Sequence, residues 1–259
     1  MRIPIGIIAC WICCSSYALQ YHGTLLYAWY NDWPMTIYLP EDYFSSTEHY
    51  PVLYLLHGMG GDESCWLQHG DAKGIFDKLI ANGEMCEMVI VMPFSSGLVD
   101  GSYEQSFDKL MSYVESNFRI HNNKQSHAIA GFSLGGFYSM HISHYYHDKF
   151  DYIGLFSAIY TADKKTIFMK QPNALFGVTS LSPDVYRNTE QQLVKQFHLP
   201  PKLYFIAIGE HDFLYNQNVL YREFLVQKGY PFIYYESPGG HGWKNWQLYL
   251  KMFLPLLFK

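Results

Sequence analysis

Short runs of β-branched and aromatic residues alternate with longer amphipathic segments along most of this chain. The apolar runs at 35–39, 52–57, 88–92, 127–131, 152–157, 203–208 and 232–236 predict strands. Several of them are apolar at every position, as strands are when a parallel sheet is buried on both faces. Segments 63–81, 103–118, 134–146, 189–197, 216–228 and 243–257 carry helical periodicity. Strands alternating with helices predict an α/β fold, a mostly parallel central sheet flanked by helices on both faces. Residues 160–186 have no clear period and contain Pro172 and Pro183, so an insertion over one end of the sheet or a plain surface loop is expected there. The chain shows no internal repeat and no linker-like tract.

The first twenty residues, MRIPIGIIACWICCSSYALQ, differ from the rest. A single Arg2 precedes an apolar run from Ile3 to Cys14, and small residues follow up to Ala18, which reads as a leader cleaved after Ala18. The run is well short of the roughly 20 residues that span a bilayer. The expectation is a signal segment 1–18, one domain over 19–259 and a secreted or periplasmic product. Ile7-Ile8-Ala9-Cys10 resembles a lipoprotein box, which makes lipid anchoring the alternative. The apolar C-terminal stretch is interrupted by Lys251 and Pro255 and reads as a docking helix, not a span.

Composition narrows the class further. A chain of 259 residues that is 49% hydrophobic and 16% charged has the material for one large core. A net charge of −5 with no basic run excludes a nucleic-acid partner held by phosphate contacts. Of the five cysteines, three lie in the leader. Cys65 and Cys86 bracket a predicted helix of about 20 residues, which would hold them roughly 30 Å apart, so no disulfide is expected.

The segment Gly131-Phe132-Ser133-Leu134-Gly135-Gly136 follows an apolar strand and opens a helix. A serine on so sharp a turn needs small residues two before and two after it, here Gly131 and Gly135. The turn lifts the hydroxyl to a helix N-terminus, where backbone N–H groups favour a developing oxyanion, and makes Ser133 the candidate nucleophile. A serine hydroxyl needs an imidazole to take its proton. His241, in Ser237-Pro238-Gly239-Gly240-His241-Gly242-Trp243, sits on a turn between the last strand and the last helix and is the best placed of twelve histidines. His57, His69, His121, His127 and His198 lack a comparable setting. His141, His144 and His147 recur at helical spacing and read as a solvated helix face, since neither HExxH nor a cysteine pair accompanies them as a metal site would require.

The carboxylate that fixes the imidazole should follow a strand between nucleophile and base. Asp212, in Gly209-Glu210-His211-Asp212-Phe213, meets that condition, with Glu210 in reserve and Asp163 and Asp184 less suited. For the oxyanion hole, the glycine-rich stretch His57-Gly58-Met59-Gly60-Gly61 after an early strand offers the Met59 N–H as partner to that of Leu134. No cofactor or metal is required by this chemistry.

Taken together, YPVLYLLHGMGG, MVIVMP, AIAGFSLGG and GEHDF followed by SPGGHGWKNW resemble the putative-esterase (esterase D-like) family of α/β-hydrolases over roughly residues 35–257. That family includes feruloyl esterases, acetylated-xylan esterases, S-formylglutathione hydrolases and mycolyltransferases. The resemblance implies the α/β-hydrolase fold and a Ser-His-Asp acyl hydrolase built on Ser133, His241 and Asp212. Phe132 and Leu134 stand where many relatives have Leu and Met, which bears on pocket shape. The leader and the Gly60-Gly61 pair argue against the S-formylglutathione branch. The implied function is an exported carboxylesterase acting on feruloyl or acetyl esters of plant polysaccharide. A general short-chain carboxylesterase, an acyltransferase with the same triad and a non-catalytic binding protein are the alternatives.

Overall fold

The structure is a computed structural model that describes residues 21–30, 33–95, 102–160 and 189–259. The expected leader, most of segment 160–186, and Asp163 and Asp184 lie outside the described residues. Eight strands form one sheet: β1 (Thr24–Tyr30), β2 (Trp33–Leu39), β3 (Val52–Leu56), β4 (Val89–Pro93), β5 (His127–Phe132), β6 (Tyr152–Phe156), β7 (Leu203–Gly209) and β8 (Ile233–Ser237). Their order is β1-β2-β4-β3-β5-β6-β7-β8. β2 runs antiparallel to β1 and β4, and every other pairing is parallel. The helices are α1 (Cys65–Gln68), α2 (Ala72–Ala81), α3 (Ser102–Asn117), α4 (Leu134–Tyr145), α5 (Thr189–His198), α6 (Tyr215–Lys228) and α7 (Trp243–Phe253).

Successive strand residues point to opposite faces, and here both faces are covered. Tyr54, Ile129, Ile153 and Ile206 face one core with Phe107 and Val114 of α3, Phe137 of α4 and Tyr221 of α6. Leu53, Ala128, Tyr152 and Phe205 face the other with Phe76 of α2 and Trp246 and Phe253 of α7. That two-sided burial is why these strands read as unbroken apolar runs. It also places the C-terminal ends of β3, β5, β6, β7 and β8 along one rim, because all five run the same way.

Two expectations are corrected, and one strand is additional to those expected. The continuous helix expected over 63–81 is two, α1 and α2. A Cβ at Gly70 would lie 2.5 Å from the Trp66 carbonyl oxygen and 3.0 Å from the Trp243 ring, and Asp71 adopts a left-handed φ of 49°, so the chain turns there before it resumes helix. The helix expected to reach 257 stops at Phe253 and tightens into a 3-10 turn, Leu254–Leu256, because Pro255 has no N–H to continue the ladder. Strand β1 was not expected: it is an edge strand with Tyr27 and Trp29 exposed, and its polarity does not alternate. Cys65 and Cys86 are free thiols. Among the described residues no helix is long and apolar enough to cross a membrane.

Candidate active site

Ser133 is the single residue between β5 and α4. Its φ of 55° and ψ of −119° are strained for a residue with a side chain, and close packing on both sides holds it there. A Cβ at Gly131 would lie 2.5 Å from the Gly135 backbone, one at Gly135 would lie 2.4 Å from the His57 carbonyl oxygen, and one at Gly136 would lie 2.7 Å from Ala158. The Ser133 N–H donates to the Phe156 carbonyl of β6 at 2.9 Å, which ties the turn to the neighbouring strand. The serine is only 4% exposed.

The other two candidates arrive from the next strand ends. After β7, the Asp212 N–H donates to the Gly209 carbonyl at 3.0 Å, and the buried carboxylate accepts the Leu214 N–H on Oδ1 at 2.9 Å. After β8, residues 238–242 carry His241 back over the sheet end. Its Nδ1 lies 3.0 and 2.9 Å from the two Asp212 carboxylate oxygens, and its Nε2 lies 3.0 Å from Ser133 Oγ. A carboxylate can only accept, so Nδ1 carries the proton and Nε2 is the acceptor for the Ser133 hydroxyl. Glu210, the reserve carboxylate, is exposed, and its N–H donates to the Ser237 carbonyl. The structure thus brings Ser133, His241 and Asp212 into one hydrogen-bonded chain.

Leu134 is the first residue of α4, where an N–H has no partner within the helix. The segment carrying Met59 lies against that helix end, since Gly135 packs on the carbonyl oxygens of Leu56 and His57. Gly58 is needed here: a Cβ would lie 2.5 Å from the Phe132 ring. Phe132 in turn stacks on Trp246 with centroids 4.0 Å apart, and Trp246 meets the His241 ring edge-on at 5.1 Å. The aromatic residue that departs from the commoner elbow sequence therefore couples the serine turn to the histidine turn.

Comparison with known proteins decides the family. A family profile described as "Putative esterase" matches residues 30–256. The chain belongs to that family. This esterase-family chain is 34% identical over 136 residues to an endo-1,4-beta-xylanase/feruloyl esterase of Xylanibacter ruminicola, covering 47% of this chain and 19% of that protein. It is 28% identical over 243 residues to an esterase of Mycobacterium tuberculosis, covering 80% of this chain and 52% of the relative. It is 26% identical over 225 residues to an acetyl esterase of Caldicellulosiruptor saccharolyticus, covering 79% and 82%. The chain thus spans about half or less of the length of the first two relatives. Among solved structures, a ferulic acid esterase superposes with a TM-score of 0.75 at 26% identity, covering 91% of this chain and 97% of that one. An S-formylglutathione hydrolase of Staphylococcus aureus, at 20% identity and a TM-score of 0.73 over 92% and 98%, shares the fold.

Two features of this candidate site were not legible in its motifs. Asn245, buried on the first turn of α7, donates from Nδ2 to Ser237 Oγ at 2.9 Å and to the Pro238 carbonyl at 3.0 Å, bracing the turn that carries His241. Phe213 lies 53% exposed with its ring 4.4 Å from that of His241, an apolar surface beside that imidazole. The histidines of α4 need a correction. His141 and His144 are buried, not on a solvated face, because α4 is enclosed by the sheet on one side and by α3 and α5 on others. Burial holds His141 down to about 3 and His144 well below the ordinary imidazole value, so both rings are neutral. Among the described residues no group of three His, Cys, Asp or Glu side chains converges as a metal site.

Proposed function

We propose that this chain is an exported serine carboxylesterase that works through an acyl-enzyme. The observation that carries the reading is the continuous Asp212–His241–Ser133 hydrogen-bonded chain, with contacts of 2.9 to 3.0 Å, at the rim of the sheet. Ser133 Oγ attacks the ester carbonyl carbon while its proton passes to His241 Nε2. The carbonyl π pair moves onto oxygen, and the Met59 and Leu134 N–H groups stabilise that charge. Collapse breaks the carbon–oxygen bond to the alcohol, which leaves with the proton from His241. Water then repeats the sequence: His241 takes its proton, the hydroxide oxygen bonds to the acyl carbon, and the acid departs as Ser133 is reprotonated. Asp212 holds Nδ1–H in place and offsets the imidazolium charge at each stage. No cofactor or metal enters these steps.

The substrate class we propose is an acyl ester on plant polysaccharide, with feruloyl ahead of acetyl. The ferulic acid esterase and xylanase/feruloyl esterase relatives support it, as does the exposed Phe213 ring beside the base. The segment from Ile3 to Cys14 and the small residues up to Ala18 support export as a single catalytic domain over 19–259, with lipidation at Cys10 as the variant ending. The test is turnover of methyl ferulate, acetylated xylan and graded p-nitrophenyl esters by the parent protein and by Ser133→Ala. The expected result is methyl ferulate as the best substrate and a loss of about 10⁴-fold or more in kcat in the variant, at unchanged melting temperature. A variant that keeps its turnover removes Ser133 from the chemistry, and a preference for p-nitrophenyl acetate removes the feruloyl assignment.

A further inference from the structure

His57 follows β3 directly and is buried, and its ring nitrogens bond backbone groups and not a triad side chain. Its two ring nitrogens have fixed and different partners. Nε2 lies 2.8 Å from the Ser95 backbone nitrogen, and Nδ1 lies 2.7 Å from the Gly58 carbonyl oxygen. A backbone N–H can only donate and a carbonyl can only accept, so Nε2 is bare and Nδ1 carries the proton. Burial lowers the affinity of this ring for a second proton, consistent with the neutral form that both contacts require. The Gly61 N–H reaches the same Gly58 carbonyl at 3.2 Å, which completes a tight turn over 58–61.

What this clamp holds is more than a carbonyl. The Gly58 C=O and the Met59 N–H belong to one planar trans peptide unit, and they point in opposite directions. Fixing the carbonyl toward the His57 ring therefore fixes the Met59 N–H away from it. We propose that His57 is a positioning residue of the oxyanion site: its Nδ1–H orients the Gly58–Met59 peptide so that the Met59 N–H is preset for the developing negative charge. The proposal rests on the serine-esterase reading above and adds a residue to it. The Ser95 N–H has a separate part in the arrangement, because it selects the tautomer that leaves the proton on Nδ1.

The two contacts can be separated by substitution. Asparagine places an amide near Nδ1 and can still donate to the Gly58 carbonyl, whereas glutamine reaches toward Nε2 and keeps the Ser95 contact alone. With methyl ferulate, H57Q is expected to lose about 100-fold in kcat, the typical effect of one oxyanion donor. Its KM should stay within about threefold, because the lost interaction forms in the transition state. H57N is expected to recover most of the loss, to within about fivefold of the parent, as a rescued donor should. Equal kcat values for H57N and H57Q, or a loss carried by KM, would overturn the proposal. Should H57Q fail to fold, ¹⁵N NMR of the unaltered protein at pH 7 decides the matter: a protonated Nδ1 and bare Nε2 on His57 support the clamp, and the opposite tautomer refutes it. The Ser133→Ala measurement stands apart from both, so failure of the esterase reading and failure of the clamp are distinguishable.

Discussion

The β5–α4 turn and the β8–α7 turn meet across a 3.0 Å contact between Ser133 and His241, yet each is held in place by different physics. The serine turn has no slack. One residue separates strand from helix, its backbone is left-handed, and glycines at 131, 135 and 136 let three backbone segments pack with no room for a methyl group. The histidine turn runs over residues 238–242 and is held by polar bonds: Asn245 braces Ser237 and Pro238, and the Gly239 carbonyl accepts the His211 N–H at 2.9 Å. The first turn is fixed chiefly by steric exclusion, with the one backbone bond from Ser133 to Phe156, and the second chiefly by hydrogen bonding. In the mechanism proposed above, the hydroxyl of Ser133 would meet its base across this contact from the more sterically confined of the two turns.

Substitutions that act on one turn and not the other probe this contrast. Asp212→Asn should have the largest effect, a fall of about 10⁴-fold in kcat at little cost to folding, because an amide in place of the carboxylate favours the wrong His241 tautomer. A loss smaller than about tenfold would show that the histidine turn orients its ring without Asp212. Acidification tests the enclosure of α4. His141 and His144 stay neutral in the folded chain but take up protons when it unfolds, so the unfolded state binds more protons below the unfolded pKa of about 6.5. Stability is therefore full above that pH and should decline beneath it, by up to about 1.4 kcal/mol per pH unit for each ring. Denaturant titrations at pH 7, 6 and 5 would measure the decline, and a flat series would contradict the neutral buried rings.

Gly135→Ala should cost about 1–3 kcal/mol and displace Ser133, since its methyl group would meet the His57 carbonyl. Melting and turnover should fall together. The mildest effect belongs to Asn245→Ala, about 1 kcal/mol. Ser237 Oγ and the Tyr249 hydroxyl already bond each other at 2.8 Å and remain partnered without it. Activity should drop about tenfold through loosened placement of His241, with the nucleophile turn intact. If Asn245→Ala proved more damaging than Gly135→Ala, the assignment of steric and polar control to the two turns would be reversed.

Much of this was legible along the chain, for a physical reason. Strands buried on both faces advertise themselves as apolar runs, so β3 to β7 were readable, and Ser133, Asp212 and His241 each follow the C-terminal end of a parallel strand, so their hydrogen-bonded juxtaposition could be anticipated from motif and chain order together. Strand β1 escaped because an edge strand with one solvated face and exposed Tyr27 and Trp29 has no clean period. The break near Gly70 escaped because it depends on the Trp66 carbonyl and the distant Trp243 ring. The contacts of His57 with the Ser95 N–H and of Asn245 with Ser237 and Pro238 were not legible, since only the fold brings these groups together. The burial of His141 and His144 follows from the sheet and two helices packing around α4, whereas their spacing alone reads as a polar face.

The most direct measurement is mass spectrometry of the protein quenched during turnover of methyl ferulate, or after reaction with a fluorophosphonate, followed by peptide mapping. The expected adduct is a single acyl or phosphonyl group on Ser133, absent in Ser133→Ala. An adduct on another side chain, or sustained turnover with Ser133 unmodified and replaceable, would contradict acyl transfer at this rim.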